Sequence, residues 1–126
     1  LVEVNDATYG SDFWLKLRQY RVQLNIFRKH NIGSHNMRTF EVPAVGGIQL
    51  TPYSDEQASF FEEGQEVFFY RDQDELILSI NELLEMSIEE ADVIRRQARA
   101  RSLHEDYSYL NRARTVFSNF KEMLSW

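Results

Sequence analysis

Apolar residues alternate with polar ones between positions 21 and 27, and this period of two predicts a β-strand. Two shorter apolar runs, at 48–51 and 66–70, are bounded by polar or turn-forming residues. The second is rich in aromatic and β-branched side chains, which favours a buried strand over a helix. The sequence therefore predicts three short strands.

Helical spacing and capping residues predict the helices. Ser87 and Glu90 form a capping box that opens a helix to about Leu103, and Asp72 with Glu75 opens the helix before it. Shorter helices are predicted at 13–19 and 55–63, and one more begins at Ser34 and is closed by a double glycine at 46–47. The last helix carries an apolar stripe with alternating spacings of three and four: Leu110, Ala113, Phe117, Phe120 and Leu124.

The order β, α, β, α, β, α, α, α predicts an α/β domain with a small parallel sheet and helices on both faces. We expect a Rossmann-like three-layer domain with a helix-rich C-terminus. A chain of 126 residues is sufficient for one domain, here residues 1–126. Because the chain starts at Leu1 and not at a methionine, we expect it to be a fragment of a longer protein.

Charge and composition exclude several classes of function. A net charge of −6 argues against nucleic acid as a partner, because neutralising phosphates requires a basic surface. The chain has no cysteine, so it has neither disulfides nor thiolate metal sites, and a cytoplasmic location is expected. No apolar run approaches the roughly 20 residues of a transmembrane segment. His30 and His35 lie five apart without an obvious third ligand, so no metal site is predicted.

The candidate site lies in the segment that follows the first strand. In open α/β sheets, ligands bind beyond the carboxyl ends of the strands. The helix predicted at Ser34 would offer unpaired backbone N–H groups to an anion, and Lys29 and Arg38 would add charge. Glu41 could accept hydrogen bonds from a ribose diol, so the segment suggests a nucleotide. Two simpler interpretations stay open: a plain helix cap at Gly33–Ser34, and a surface ion pair between Arg38 and Glu41.

Four blocks of sequence carry a family resemblance that spans residues 22–120. They are "LNIF", "MRTFEVPAVGGIQLT", "FFEEGQEVFFYRDQDELILSINELL" and "ARARSLHEDYSYLNRART". In this order and spacing they resemble the C-terminal half of retaining glycosyltransferases of the two-domain GT-B fold. The resemblance is closer to the branch related to the spore-maturation protein CgeB.

The resemblance implies a domain that binds a nucleotide-diphosphate sugar, with UDP, GDP or ADP as the nucleotide, while a glycan or other acceptor binds a missing N-terminal domain. Wider relatives carry two glutamates separated by seven residues; Glu41 matches the second, which contacts the ribose, and Gly33 stands where the first would be. Such enzymes generally need no metal, and the nucleotide sugar is a substrate, so no cofactor is implied.

The resemblance also implies roles for the neighbouring residues. Arg38 and Thr39 match the "R-T-F-E" block and are expected to face the diphosphate, together with Gly33, Ser34, His35 and Asn36. The loop at Asn25 could contact the base. No catalytic residue is assigned, and the isolated domain is expected to be inactive or nearly so.

Two alternatives of other classes remain. The apolar face between positions 110 and 124 could dock a partner or a second copy, which would make the chain a non-catalytic interaction module. An α/β domain that senses nucleotides would bind the nucleotide without discriminating the sugar. Solution mass and nucleotide binding separate these alternatives from a transferase.

Overall fold

The computed structural model describes residues 3–31 and 33–124, so Leu1 lies outside the described residues. In these ranges the strands are β1 (Gln23–Leu24), β2 (Gln49–Pro52) and β3 (Phe68–Tyr70). The helices are α1 (Gly10–Gln19), α2 (Arg38–Ala44), α3 (Asp55–Phe60), α4 (Gln73–Glu85), α5 (Ile88–His104) and α6 (Tyr109–Leu124), and a short 3₁₀ turn covers Lys29–Asn31.

The three strands form one parallel sheet in the order β1-β2-β3. Leu50 of β2 pairs with Leu24 on one side and with Phe68 on the other. Helix α2 connects the first two strands and α3 lies between the second and third, as parallel pairing requires. The predicted α/β class with a small parallel sheet and a helix-rich C-terminus is confirmed.

Alternation along the strands produces two apolar clusters, one on each face of the sheet. Ile48 and Leu50 pack with Leu83 of α4 and with Ala91 and Ile94 of α5. On the opposite face, Val67 and Phe69 pack with Phe40 of α2 and with Phe61. Because helices cover both faces, the domain has three layers, and its carboxyl edge is free for a ligand.

The end of α2 shows why the sequence carries a proline and two glycines here. Pro43 has no N–H to continue the helical ladder, and the helix ends one residue later. Gly46 adopts a φ of 73°, and its N–H donates to the carbonyl of Pro43. A Cβ at Gly47 would lie 2.8 Å from Cγ1 of Val42, so the chain can turn tightly into β2 only with glycine there.

The predicted start of α2 is wrong. The helix begins at Arg38, four residues after Ser34, and Met37 is the residue that precedes its first turn. The side chain of Asn36 accepts the N–H of Thr39, and the hydroxyl of Thr39 accepts the N–H of Asn36. Residues 33–36 therefore form a loop, so the predicted anion site at a helix beginning at Ser34 is not formed.

Three other elements, two strands and one helix, are shorter than predicted. The first strand covers two residues, not the seven from 21 to 27. The N–H of Asn25 still donates to the carbonyl of Leu50, and Ile26 beyond it is exposed. The third strand starts at Phe68 instead of Glu66. Helix α3 ends at Phe60, since the next residue has extended backbone and its side chain is buried in the core.

The C-terminal helices keep their predicted starts and differ in packing. Ser87 and Glu90 make the reciprocal bonds of a capping box, as predicted for α5. Asp72 caps α4 by accepting the N–H of Glu75. The Glu75 carboxylate accepts the backbone N–H of Arg71 and not that of Asp72, so the reciprocal bond of a capping box is not made. Helix α6 has no buried residue among those described, so its apolar stripe faces solvent.

Candidate functional site

A cavity of about 640 Å³ lies beyond the carboxyl end of β1, where α1 and α2 begin. We call it the donor cavity, after the nucleotide-sugar donor that the sequence resemblance implies. Residues 8–10, 13 and 14 form one wall, and the loop after β1 forms another through Ile26, Arg28 and His30. The third wall comes from residues 36–38 and 41 at the start of α2. The site therefore lies where an open α/β sheet is expected to bind a ligand.

Arg38 and Glu41 occupy the α2 wall of the donor cavity. Nη1 of Arg38 lies 3.0 Å from Oε2 of Glu41, and the Glu41 side chain is only 17% exposed. The guanidinium also stacks on the ring of Phe13, 4.3 Å from its centroid. Within the described part of the chain, this leaves Oε1 of Glu41 for a ligand hydroxyl, and the arginine keeps further N–H donors for an anion. The ion pair that sequence spacing suggested is present, and it lines a cavity.

Asn25 and Asn36 join the first strand to the α2 wall. Each side-chain amide donates to the oxygen of the other, over 3.0 and 2.9 Å. Asn25 is buried, whereas Asn36 reaches the donor cavity. Because Asn36 also accepts the N–H of Thr39 in the first turn of α2, this amide pair links the first strand to the helix that carries Arg38 and Glu41.

The aromatic residues of α1 are the part of the cavity that the sequence did not indicate. Phe13, Trp14 and the preceding Tyr9 line it; Tyr9 is 82% exposed and Trp14 is 43% exposed. Phe13 and Trp14 meet edge to face at a centroid distance of 4.9 Å. The sequence feature that could have indicated this wall is the group of three aromatic residues around Gly10 at a helix start, because such side chains suit stacking with a planar ligand group.

Ser34 and His35 contact Glu56 of α3. The hydroxyl of Ser34 donates to Oε2 of Glu56 over 2.8 Å, and Nδ1 of His35 lies 3.0 Å from the same oxygen. The adjacent His35 ring and the hydrogen bond from Ser34 lower the pKa of the Glu56 carboxyl, because both favour its charged form. Ser54 adds a bond from its hydroxyl to the carbonyl of Ser34. Gly33, with a φ of 82°, precedes this contact, and neither it nor Ser34 nor His35 lines the donor cavity.

Thr39 is buried on the same side as Ser34 and His35. Its hydroxyl donates to Oε1 of Gln57 over 3.0 Å, and Thr51 of β2 donates to the same oxygen. The Gln57 amide in turn donates to the carbonyl of Pro52 over 2.7 Å. Together with the contacts of Ser34 and His35 to Glu56, these bonds form what we call the loop anchor, which fixes residues 33–39 to α3 and β2.

The predicted site residues thus divide into two groups. Asn36, Arg38 and Glu41 line the donor cavity, with Asn25 behind them. The others belong to the loop anchor or its approach: Gly33, Ser34, His35 and Thr39.

Comparison with known proteins decides the family. A family model described as glycosyl transferase-like matches residues 1–118, nearly the whole chain. The chain belongs to the glycosyl transferase-like family. Neither the curated proteins nor the solved structures gave a significant match.

A glycosyl transferase-like domain needs a site for a nucleotide sugar, and the donor cavity has suitable groups. It combines a guanidinium for phosphate, a carboxylate for hydroxyls and aromatic rings for stacking. Its volume lies within the usual range of about 300–1,000 Å³ for small-molecule pockets. In the described residues, no three His, Asp or Glu side chains come together as metal ligands would.

Among the same residues, no helix is both long enough and apolar enough to cross a membrane. Helix α6, whose apolar residues are exposed, also carries the cations Arg112, Arg114 and Lys121.

Proposed function

We propose that this chain is the donor-binding half of a retaining glycosyltransferase of the GT-B fold, closest to the CgeB-related branch. It binds a nucleotide-diphosphate sugar, and the acceptor binds a preceding domain that closes over the donor cavity. Family membership supports glycosyl transfer in general. The resemblance in the four sequence blocks is the basis for the GT-B architecture and for retention.

One observation carries the proposal: Arg38 and Glu41 of the "R-T-F-E" block stand side by side on the wall of a cavity at the carboxyl edge of the sheet. Glu41 is held by Arg38 through one oxygen. We assign its other oxygen to the ribose hydroxyls, and a carboxylate accepts from a diol without a metal.

We assign the diphosphate to Arg38, with Arg28 and His30 on the facing wall. In sugar transfer the departing diphosphate gains negative charge as the glycosidic bond breaks, and a preorganised guanidinium stabilises that charge. Asn36 contributes its amide at the same wall. Gly33, Ser34, His35 and Thr39 support the donor indirectly, because the loop anchor determines where Asn36 and Arg38 stand.

The base of the nucleotide is assigned to the aromatic wall of α1. Tyr9 and Trp14 offer exposed ring faces on the cavity, and stacking tolerates any base. Asn25 is buried behind Asn36, so we give it a positioning role in place of a base contact.

Calorimetric titration with UDP, GDP, ADP and their sugar conjugates tests the proposal. We expect saturable binding of one nucleotide, weakened at least tenfold in Glu41→Ala, since loss of a hydrogen bond to a charged group costs about 1.5–3 kcal/mol. Glu85→Ala is the matched control, because Glu85 is an exposed glutamate at the end of α4 that does not line the donor cavity.

If Glu41→Ala binds as tightly as the wild type, the site assignment is wrong. If the chain binds no nucleotide, the same titration on a protein that includes the preceding domain decides whether that domain completes the site. Absence of binding there as well would contradict the proposed function.

One observation favours a second candidate, an interaction module that docks through α6. Val116, Phe117, Phe120 and Met123 are all more than half exposed on this helix. A stable dimer that ignores nucleotides, measured by solution mass and titration, would favour the module over the donor-binding domain.

A further inference from the structure

A second cavity, of about 400 Å³, lies where α1 and α2 end. We call it the arginine cavity, because Arg18 of α1 and Arg95, Arg96 and Arg99 of α5 line it. Val45, Gly46 and Asp92 complete its wall. Since α1 and α2 begin at the donor cavity and end here, the two cavities lie at opposite ends of the same helices and share no lining residue.

The charge of the arginine cavity differs from that of the chain as a whole. Four arginines face one aspartate, a local charge of +3 in a chain of net charge −6. The C-terminal ends of two helices contribute about half a negative charge each. The negative ends of α1 and α2 together therefore balance about one of the three net positive charges in the cavity. About two positive charges remain without a counter-charge.

The contacts of these arginines leave most of their donors unused. Arg99 donates from Nη1 to the carbonyl of Ala44 over 2.7 Å, which caps α2. Nη1 of Arg95 lies 3.5 Å from Asp92, while Nε of Arg95 is buried and has no acceptor. Arg18 and Arg96 make no hydrogen bond or ion pair within residues 3–31 and 33–124.

Capping of α2 explains Arg99 but not the other three. A buried guanidinium N–H without an acceptor is unfavourable, and an oxyanion in the cavity would satisfy it. The planar guanidinium of arginine donates two parallel hydrogen bonds to a pair of phosphate oxygens. The single carboxylate of Asp92 offers too few acceptors for the donors of these arginines.

We propose that the arginine cavity binds a phosphate-bearing ligand at a site separate from the donor cavity. The phosphate oxygens accept from Arg95, Arg96 and Arg18, while Arg99 holds the end of α2 in place. Two sources offer this chemistry, a soluble phosphate compound and the headgroup of an anionic lipid.

Titration of the full chain with inorganic pyrophosphate tests the proposal. We expect saturable binding that weakens at least tenfold in the double variant Arg18→Gln with Arg96→Gln. Neither side chain has a structural partner in the described residues, so the fold should persist, and circular dichroism checks this. Arg114→Gln with Lys121→Gln removes the same charge from α6 and is the matched control. It should leave binding unchanged.

Arg38→Gln separates the two cavities, because it weakens pyrophosphate binding only if the anion occupies the donor cavity.

Sedimentation with vesicles of phosphatidylglycerol, compared with vesicles of phosphatidylcholine alone, tells whether the phosphate belongs to a lipid headgroup or to a soluble compound. Binding that depends on Arg18 and Arg96, to vesicles or to pyrophosphate, supports the proposal in either arm. The proposal is overturned if the wild type binds neither probe, if both double variants weaken binding equally, or if only Arg38→Gln weakens it.

Discussion

Residues 33–41 present two different surfaces. Asn36, Arg38 and Glu41 face an open cavity with donors and acceptors to spare, whereas Ser34, His35 and Thr39 are engaged in the loop anchor with α3 and β2. Residues one position apart thus serve different purposes. The comparison shows that a binding segment of this size is both a ligand wall and the structure that holds the wall, and that sequence neighbourhood alone does not separate the two.

The largest expected effect concerns the cavity side. Trp14→Ala removes an exposed stacking surface, and loss of one aromatic–base contact costs about 1–3 kcal/mol, so nucleotide affinity should fall about tenfold or more. Calorimetry of the nucleotide that binds the wild type measures it. Leu15→Ala, an exposed neighbour on α1 that does not line the cavity, should bind normally. Equal affinities for Trp14→Ala and the wild type would remove α1 from the site.

A smaller effect is expected on the anchor side, and on stability instead of affinity. Thr39→Val keeps the shape of the side chain but removes the hydroxyl that bonds Gln57 and accepts from Asn36. The free energy of unfolding should fall by about 1–2 kcal/mol, because the Asn36 N–H loses its acceptor. Urea denaturation measures this. An unchanged midpoint would show that the anchor contributes nothing to the fold.

The smallest effect is a pH dependence of the anchor. The pKa of Glu56 is lowered from its ordinary 4.5 by the adjacent His35 ring and by the hydrogen bond from Ser34. A carboxyl whose pKa is lower in the folded state stabilises the fold above its unfolded pKa, and this contribution is lost as the pH falls through the folded value. Below pH 4.5, therefore, acid should destabilise the wild type more steeply than Glu56→Gln.

Urea denaturation at a series of acidic pH values measures both slopes, with Glu85→Gln as a control that should follow the wild type. The side chain is partly exposed, so the difference should be modest and should shrink in high salt. Identical slopes for Glu56→Gln and the wild type would contradict the assigned role of Glu56.

Much of the fold could be predicted because it depends on local signals. The period-two alternation, the Ser87–Glu90 capping box and the double glycine at 46–47 each specify a strand or a helix end without reference to the rest of the chain. Strand length is different, since the bond from the N–H of Asn25 to the carbonyl of Leu50 is followed by an exposed Ile26, which the alternation alone would place in the core. The start of α2 at Arg38 is also not specified by the local pattern, because the side chain that accepts the N–H of Thr39 belongs to Asn36 and not to Ser34.

The candidate site could be predicted only in part. Arg38 and Glu41 lie three apart on one helix, so their pairing follows from helical geometry. The aromatic wall of α1 precedes them by more than twenty residues, and nothing in the local pattern connects the two. The partners of Thr39 and Ser34 lie on α3, and these contacts depend on how α3, which connects β2 and β3, packs against the sheet.

The most direct test of the account is the nucleotide affinity of Thr39→Val beside that of Glu41→Ala, measured by calorimetry on the same day and in the same buffer. The account predicts that Glu41→Ala loses at least tenfold in affinity. Thr39→Val should lose much less affinity despite its lower stability, because the Asn25–Asn36 pair and the bond from Ser34 to Glu56 still hold the wall in place. If Thr39→Val loses affinity as severely as Glu41→Ala while remaining folded, the division of residues 33–41 into a cavity side and an anchor side is wrong.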